Sequence, residues 1–153
     1  MEYGSIEREI HVDASPEVVF EVVSTPEHLK EWWPDEARFE TVPGATGELV
    51  FGDRDDPAAH VPVLTVVEVV PPRRFSFWWS DDAEVAGEGN ALLVTFDLEP
   101  AGDGTLVRMT ESGFRERGWE AAVLEAAYND HVNGWDTFMP MLVAYANGLV
   151  RSS

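Results

Sequence analysis

Hydrophobic residues follow a helical period in the last third of the chain, from Asn129 to Val150. Phe138 and Val143 widen a face whose other apolar positions recur at spacings of three and four: Val132, Trp135, Met139, Leu142, Ala146 and Leu149. That spacing is typical of one face of an α-helix. A face this rich in Trp, Phe and Met is too apolar for water, so the pattern predicts a long helix held in a concave surface. Pro140 should bend its axis near Asp136–Phe138.

The start of the chain predicts one strand and two short helices. Residues Ile6–Val12 alternate between apolar and polar, as in a strand with one solvated face. Ser15 is a good N-cap and Pro16 suits the first helical position. A second helical start at Thr25–Glu27 leads into a short helix that Pro34 ends.

Alternating segments in the middle of the chain predict about six further antiparallel strands. They are Arg38–Val42, Glu48–Phe51, Val61–Val70, Phe75–Trp79, Leu92–Glu99 and Thr105–Glu111. Residues 52–60 form an acidic loop without core positions, and 80–90 a polar hairpin connection expected to be mobile. The helical end should begin within Trp119–Tyr128. Strands in one run with helices at the ends indicate an α+β domain, and one helix can cover such a sheet only if the sheet curls around it.

Length and charge narrow the function classes. The 153 residues suit a single domain spanning 1–153, and the absence of Cys excludes a disulfide framework or a thiolate site. The net charge of −19, from 29 acidic against 10 basic side chains, argues against nucleic acid as a partner. The first residues lack the pattern of a signal peptide, and no stretch approaches 18 apolar residues. We therefore expect a cytoplasmic protein that does not insert into membranes.

An ordered set of short motifs spans nearly the whole chain. It comprises Ala14–Phe20, Thr25–Leu29 followed by Trp32 and Trp33, Val69–Phe77 followed by Trp79, Gly102–Thr105, Ser112–Phe114, and Gly134 with Trp135. In this set and order the chain resembles the SRPBCC superfamily (START-like, helix-grip). Within it, the sequence is most similar to proteins related to the activator of the 90-kDa heat-shock protein's ATPase.

The resemblance implies a helix-grip (START-like, pollen-allergen-like) fold: a curved antiparallel sheet of about six to seven strands around a long C-terminal helix. It also implies a hydrophobic cavity between that sheet and helix. The superfamily includes lipid and hormone binders, pollen-allergen-like carriers, and polyketide cyclases or aromatases. The chaperone activator uses this domain beside a separate N-terminal domain, whose motifs we do not find, so we expect a cochaperone role less than ligand binding.

Glu111 and His131 are the candidates for acid–base catalysis. Glu111 shares strand parity with Val107 and Met109, so it should point toward the helix that carries His131. A Glu–His pair in an apolar cleft could move protons. The ordinary alternative is a solvated Glu at a strand end and a His in a helix turn.

Other chemistries find little support. There is no nucleophile elbow, and the four His residues show no metal-ligand spacing. Gly44–Gly47 lies between two strands and is a hairpin turn rather than a phosphate loop. We therefore expect no metal and no cofactor.

The aromatic residues give the strongest positive signal, because pockets for small molecules have mostly apolar walls with a few polar groups. The predicted ligand-binding residues are Trp32, Trp33, Phe51, Val67, Phe77, Trp79, Phe96, Met109, Glu111, Tyr128, Trp135, Phe138, Met139 and Leu142. Arg108 is a further polar candidate, although its parity places it on the other strand face. Trp78 also faces away from the helix and could mark a homodimer contact.

These observations favour a module that binds a small hydrophobic or aromatic, lipid- or polyketide-like molecule. Two alternatives stay open. One is a cyclase- or dehydratase-like enzyme using Glu111 and His131, which requires the two side chains within reach of a common point in the pocket. The other is a chaperone-activating, protein-binding domain, whose acidic surface would need a basic partner.

Overall fold

The structure is a computed structural model that describes residues 5–53, 55–80, 84–87, 89–114 and 119–152. These residues form seven strands and three helices. In chain order they are β1 (Ser5–Val12), α1 (Pro16–Ser24), α2 (Pro26–Trp32), β2 (Glu36–Arg38), β3 (Thr46–Val50), β4 (Val63–Val70), β5 (Arg74–Ser80), β6 (Leu92–Ala101), β7 (Gly104–Ser112) and α3 (Ala121–Ser152). The order confirms the predicted α+β arrangement.

The seven strands form one antiparallel sheet in the order β1-β7-β6-β5-β4-β3-β2. β1 lies beside β7 at one edge of the sheet, and β2 forms the other edge. Helices α1 and α2 carry the chain between these edges, and both contact α3. The sheet curves around α3, which confirms the helix-grip prediction.

The predicted start signals of the two short helices are confirmed. The Ser15 Oγ accepts a hydrogen bond from the Val18 backbone N–H at 3.3 Å, and Pro16 is the first residue of α1. The indole of Trp32 in α2 donates to the Val22 carbonyl in α1 at 3.0 Å. The two helices are thereby tied together as one unit over the sheet.

Helix α3 buries the apolar face that the sequence predicts. Trp135, Met139, Leu142 and Ala146 are all buried in the core. The helix continues through Pro140, and the expected bend of its axis there stays a prediction.

The strand bounds differ from the prediction at several ends, and two of the differences have a visible structural cause. The strand placed at Arg38–Val42 is instead β2, because the chain leaves the sheet after Arg38 by crossing closely over Gly47. A Cβ on Gly47 would lie 2.0 Å from the Arg38 carbonyl oxygen, so only glycine permits this crossing. Phe39 then turns inward and stacks on Phe75, with ring centroids 6.2 Å apart.

The other boundary concerns Val61–Val70, where β4 begins only at Val63. Pro62 has no N–H to donate to a neighbouring strand, although its carbonyl accepts from the Leu49 N–H at 3.0 Å. The mobile connection predicted at 80–90 lies partly outside the described residues.

Candidate functional site

A carboxyl group lies in the middle of the hydrophobic core. Glu111 continues the inward-facing row of Val107 and Met109 on β7, as its parity predicts, and all three are fully buried. The exposed fraction of Glu111 is 0%. The alternative of a solvated glutamate at a strand end is therefore wrong.

Two indole N–H groups and one imidazole nitrogen, from two different elements, converge on this carboxyl group. Glu111 Oε2 accepts from the Trp79 indole on β5 at 2.7 Å, and Oε1 accepts from the Trp135 indole on α3 at 2.9 Å. The Nδ1 of His131, also on α3, lies 2.7 Å from Oε1. A buried carboxyl group is tolerated when hydrogen bonds replace the lost water, and the two indole donors and the contact with His131 do so here.

The local sequence explains how these groups meet. His131 and Trp135 are four residues apart on α3 and therefore share one helix face. Trp79 is on the inner face of β5, and its side chain reaches across β6 to Glu111 on β7. The register of these strands places Phe77 of β5 beside Val94 of β6, and Val94 beside Glu111.

The imidazole of His131 is held on three sides. Besides the contact of its Nδ1 with Glu111, its ring makes edge-to-face contacts with Trp79 and with Phe114, each with ring centroids 5.5 Å apart. Its side chain is 18% exposed, so the ring connects the buried carboxyl group with the protein surface.

Aromatic side chains fill most of the space between the sheet and α3. Trp33, at the end of α2, lies at the centre of this cluster, with ring centroids 5.0 Å from Trp135, 5.1 Å from Trp79, 5.7 Å from Phe51 and 6.0 Å from Phe77. Its exposed fraction is only 7%. The interior is consequently packed, and the open space lies at its side.

Two adjoining pockets open beside this cluster. The larger, called here the aromatic pocket, has a volume of about 370 Å³ and is lined by Trp33, Phe51, His60, Trp79, Asp130, His131, Asn133, Gly134, Trp135, Thr137 and Phe138. The smaller, called the aliphatic pocket, has a volume of about 250 Å³ and is lined by His60, Pro62, Trp79, Ser80, Leu92, Trp119, Val123, Ala127, Asp130 and His131. His60, Trp79, Asp130 and His131 line both, so the two pockets form a continuous region around the imidazole of His131.

The predicted ligand-binding residues fall into three groups. Trp33, Phe51, Trp79, Trp135 and Phe138 line the aromatic pocket, with Glu111 directly behind its wall. A second group is buried in the core and lines neither pocket: Trp32, Phe77, Phe96, Met109, Met139 and Leu142.

The third group lies elsewhere. Val67 is 36% exposed, because it follows the buried Leu64 and Val66 in the alternation of β4 and therefore faces outward. The bulge between Val66 and Glu68 then shifts the inward row to Val69, which pairs with Phe75. The Tyr128 hydroxyl donates to the Ser5 carbonyl at 2.8 Å, so this side chain ties α3 to β1 and does not line either pocket.

Arg108 and Trp78 lie on the opposite face of the sheet and line neither pocket. Arg108 is exposed there, as its parity predicts, and pairs with Glu9; the hydrogen bonds from its guanidinium to that carboxylate raise the pKa of Arg108. Trp78 is half-buried on this face.

Several polar pocket residues were missed from the sequence. Asp130, Asn133 and Thr137 recur at spacings of three and four, so they could have been recognised as a helix face beside the apolar one. His60 comes from the acidic loop, and backbone hydrogen bonds of 2.8 and 2.9 Å with Phe51 bring it to the pocket. That pairing across the loop leaves no signal in the sequence.

Within the described ranges, no group of His, Asp and Glu side chains is arranged to hold a metal ion. No helix in that part of the chain combines the length and apolar character needed to cross a membrane.

Solved structures with the same fold cover almost the entire chain. The MLL2253 protein from Mesorhizobium loti is 22% identical with a TM-score of 0.76, and the match covers 97% of this chain and 98% of that one. The Aha1 dimer from Colwellia psychrerythraea is 23% identical with a TM-score of 0.69, covering 94% and 96%. DynU16, from the dynemicin biosynthetic locus, is 22% identical with a TM-score of 0.69, covering 93% of this chain and 46% of that one.

Comparison with curated proteins gave no match. The family model described as Activator of Hsp90 ATPase homolog 1-like protein, in contrast, matches residues 13–147. Motifs, fold and family model agree, and the chain belongs to the Activator of Hsp90 ATPase homolog 1-like family.

Proposed function

We propose that the protein binds a small hydrophobic, aromatic molecule in the aromatic pocket, with the aliphatic pocket as its extension. The observation that carries this proposal is the composition of the wall. Trp33, Phe51, Trp79, Trp135 and Phe138 offer ring faces and edges for an aromatic ligand. Polar groups that can orient it come from His60, Asp130, His131, Asn133 and Thr137.

The size and position of the pocket support the same conclusion. Its volume of about 370 Å³ falls within the usual range for small-molecule sites, roughly 300–1,000 Å³. The location of DynU16 in a biosynthetic locus is consistent with a natural product of the lipid or polyketide type as ligand.

The first test is a titration with N-phenyl-1-naphthylamine, an uncharged aromatic probe whose fluorescence rises in apolar surroundings. Phe138→Ala should weaken binding at least about fivefold, because this ring forms part of the pocket wall. Phe39→Ala is the matched control, since Phe39 is also half-buried but packs on Phe75 outside both pockets. Absence of saturable binding, or equal weakening by both variants, would refute the proposal.

Native mass spectrometry of the protein purified from its own cells would identify a natural ligand. A mass above that of the denatured chain indicates a bound molecule, and its loss from Phe138→Ala would assign it to the aromatic pocket.

A second function, proton transfer in a cyclase- or dehydratase-like reaction, is favoured by the 2.7 Å contact between His131 and Glu111. Glu111 is fully buried and already accepts from two indoles, so it cannot also contact a substrate. His131 lines both pockets and would be the catalytic base, with Glu111 as its positioning residue.

Exchange of the α-protons of 2-tetralone with deuterium from D₂O tests this function by NMR. His131 would take the C–H proton, leaving an enolate, and a solvent deuteron would return to the carbon. His131→Asn should reduce the exchange to the rate without protein while N-phenyl-1-naphthylamine still binds. If the wild-type protein gives no acceleration, the catalytic proposal fails.

Two predicted protein partners stay predictions. A homodimer is consistent with the dimeric Aha1 structure from Colwellia psychrerythraea, and light scattering of the purified protein decides it. A cochaperone role is suggested by the family description, and stimulation of a chaperone ATPase by the protein is its test.

A further inference from the structure

Glu111 connects two walls of the aromatic pocket from behind. Its Oε2 accepts from the Trp79 indole N–H at 2.7 Å, and its Oε1 accepts from the Trp135 indole N–H at 2.9 Å. An indole N–H can only donate, and each carboxyl oxygen keeps a lone pair whether or not the group is ionised, so the direction of both bonds is fixed. One planar group therefore holds a ring from β5 and a ring from α3.

A ligand in the pockets cannot contact Glu111 itself. The side chain is fully buried and lines neither pocket, whereas Trp79 lines both pockets and Trp135 lines the aromatic one. Any effect of Glu111 on binding must therefore act through the rings that its carboxyl group holds.

Trp79 depends on this hydrogen bond more than Trp135 does. Trp135 is 3% exposed and packs against Trp33 and Phe96, with ring centroids 5.0 and 6.2 Å away. Trp79 is only half-buried and lies between two open pockets, which leave room for its ring to turn. The bond to Glu111 directs the N–H edge of Trp79 into the core and so fixes how its ring borders the pockets.

A fixed ring orientation matters most for a ligand that is itself aromatic. Contacts between aromatic rings are directional, because the ring faces are negative and the ring edges positive. A saturated molecule has no such charge distribution and gains mainly from the area removed from water, which has no directional preference. Rings that already hold their bound orientation also avoid the cost of being ordered when the ligand binds.

We propose that Glu111 is a positioning residue that preorganises Trp79 and Trp135, and that the pockets thereby select planar aromatic ring systems over saturated molecules with the same skeleton. This inference rests on the proposed binding function. It adds the chemical class of the ligand, an aromatic ring system rather than a saturated lipid.

Two probes with the same carbon skeleton and the same hydroxyl group test the inference by isothermal titration calorimetry at pH 7. 2-Naphthol is planar and aromatic, and decahydro-2-naphthol is its saturated counterpart. Wild-type protein should bind 2-naphthol about tenfold more tightly, as one or two well-oriented contacts between aromatic rings would give.

Glu111→Met removes both acceptors and should reduce this preference to within about twofold, mainly by weakening the binding of 2-naphthol. Leu98→Ala is the matched control. Leu98 is also buried in the core, lines neither pocket, and pairs with Val107, four residues before Glu111 on β7. This control should be less stable than wild type and still keep the tenfold preference. Retention of the full preference in Glu111→Met would overturn the positioning role.

Failure of the inference differs from failure of the proposed function. If wild-type protein binds both probes with equal affinity, the inference is overturned and the hydrophobic site remains. If it binds neither probe, both are overturned.

A measurement on wild-type protein keeps the inference testable if Glu111→Met does not fold. The ¹⁵N relaxation of the indole N–H groups without ligand, with the Trp79 signal assigned by its loss in Trp79→Phe, reports the motion of that ring. Its order parameter should be close to about 0.85, the value of rigid backbone. A value nearer to about 0.6, as in flexible segments, would show that Glu111 does not hold the ring.

Discussion

Replacing Glu111 by Met would leave two indole N–H groups and the Nδ1 of His131 without their carboxyl partner in the interior of the domain. Met has a length and volume similar to those of Glu, so the substitution changes polarity more than packing. The Trp135 side chain is almost completely buried, whereas Trp79 and His131 are partly exposed.

The magnitude follows from these exposures. A buried donor left unsatisfied costs about 1–3 kcal/mol, with the upper end expected for Trp135 and the lower end for the two partly exposed groups. Removing a buried carboxylate offsets part of this cost. We therefore expect Glu111→Met to lower the free energy of unfolding by about 3 kcal/mol, a large share of the usual 5–15 kcal/mol of a domain.

A double-mutant cycle identifies the cause. Trp135→Phe should be destabilising alone, because it removes one donor from a buried carboxylate. In combination with Glu111→Met, it removes the donor that Met had left unsatisfied, so the double variant should be more stable than the sum of the single effects predicts, by about 1–2 kcal/mol.

The assay is urea denaturation followed by far-UV circular dichroism, since the cycle alters a fluorescent residue. Glu9→Met is the control and should change stability by no more than about 1 kcal/mol, because the Glu9–Arg108 pair is exposed on the sheet surface. If Glu111→Met is as stable as wild type, or if the cycle is additive, the assigned role of the network is wrong.

Three further substitutions or titrations test other parts of the structure. Leu142→Ala removes a fully buried side chain of α3 and should lower the free energy of unfolding by about 2–5 kcal/mol, as measured in urea. Gly104→Ala should lower the free energy of unfolding by about 1–3 kcal/mol, because the new Cβ would lie 2.2 Å from the carbonyl oxygen of Val12, which belongs to the backbone. Burial, with a smaller effect of Glu31, raises the pKa of Tyr145 above 10.0. The neutral phenol therefore stabilises the folded state fully below pH 10, and this stabilisation is lost as the pH rises through the folded-state pKa. Absorbance at 295 nm should detect the late ionisation of Tyr145.

Each of these predictions has a matched control. Met141→Ala, at an exposed position next to Leu142, should change stability by no more than about 0.5 kcal/mol. Gly134→Ala meets no atom within 4 Å and should stabilise α3 by up to about 1 kcal/mol. Tyr145→Phe should remove the late ionisation; if the absorbance change persists unaltered, it belongs to another tyrosine.

Local sequence determined the elements of this fold. The Ser15–Pro16 start, the alternation within the strands and the apolar stripe of α3 each act over a few residues, so they can be recognised without knowledge of the remaining chain. Parity alone also placed Glu111 on the inner face of β7, because the side-chain period of a strand is two.

The contacts between these elements, in contrast, were decided by the tertiary structure. Nothing near Glu111 in the sequence indicates that Trp79, two strands away in the sheet, donates to its carboxylate. The bulge that moves the inward row of β4 from Val66 to Val69 depends on the pairing of β4 with β5, and the pairing of Phe51 with His60 depends on the closure of a loop.

The same distinction explains the site itself. From its residues, the chain predicted an aromatic cavity under the last helix, but Trp33 enters that space from α2 and fills most of it. The space left for a ligand is the volume that the curved sheet encloses minus the volume of the side chains that enter it from separate elements. Because that difference is small and depends on the backbone path of every surrounding element, only the folded structure determines where a ligand can lie.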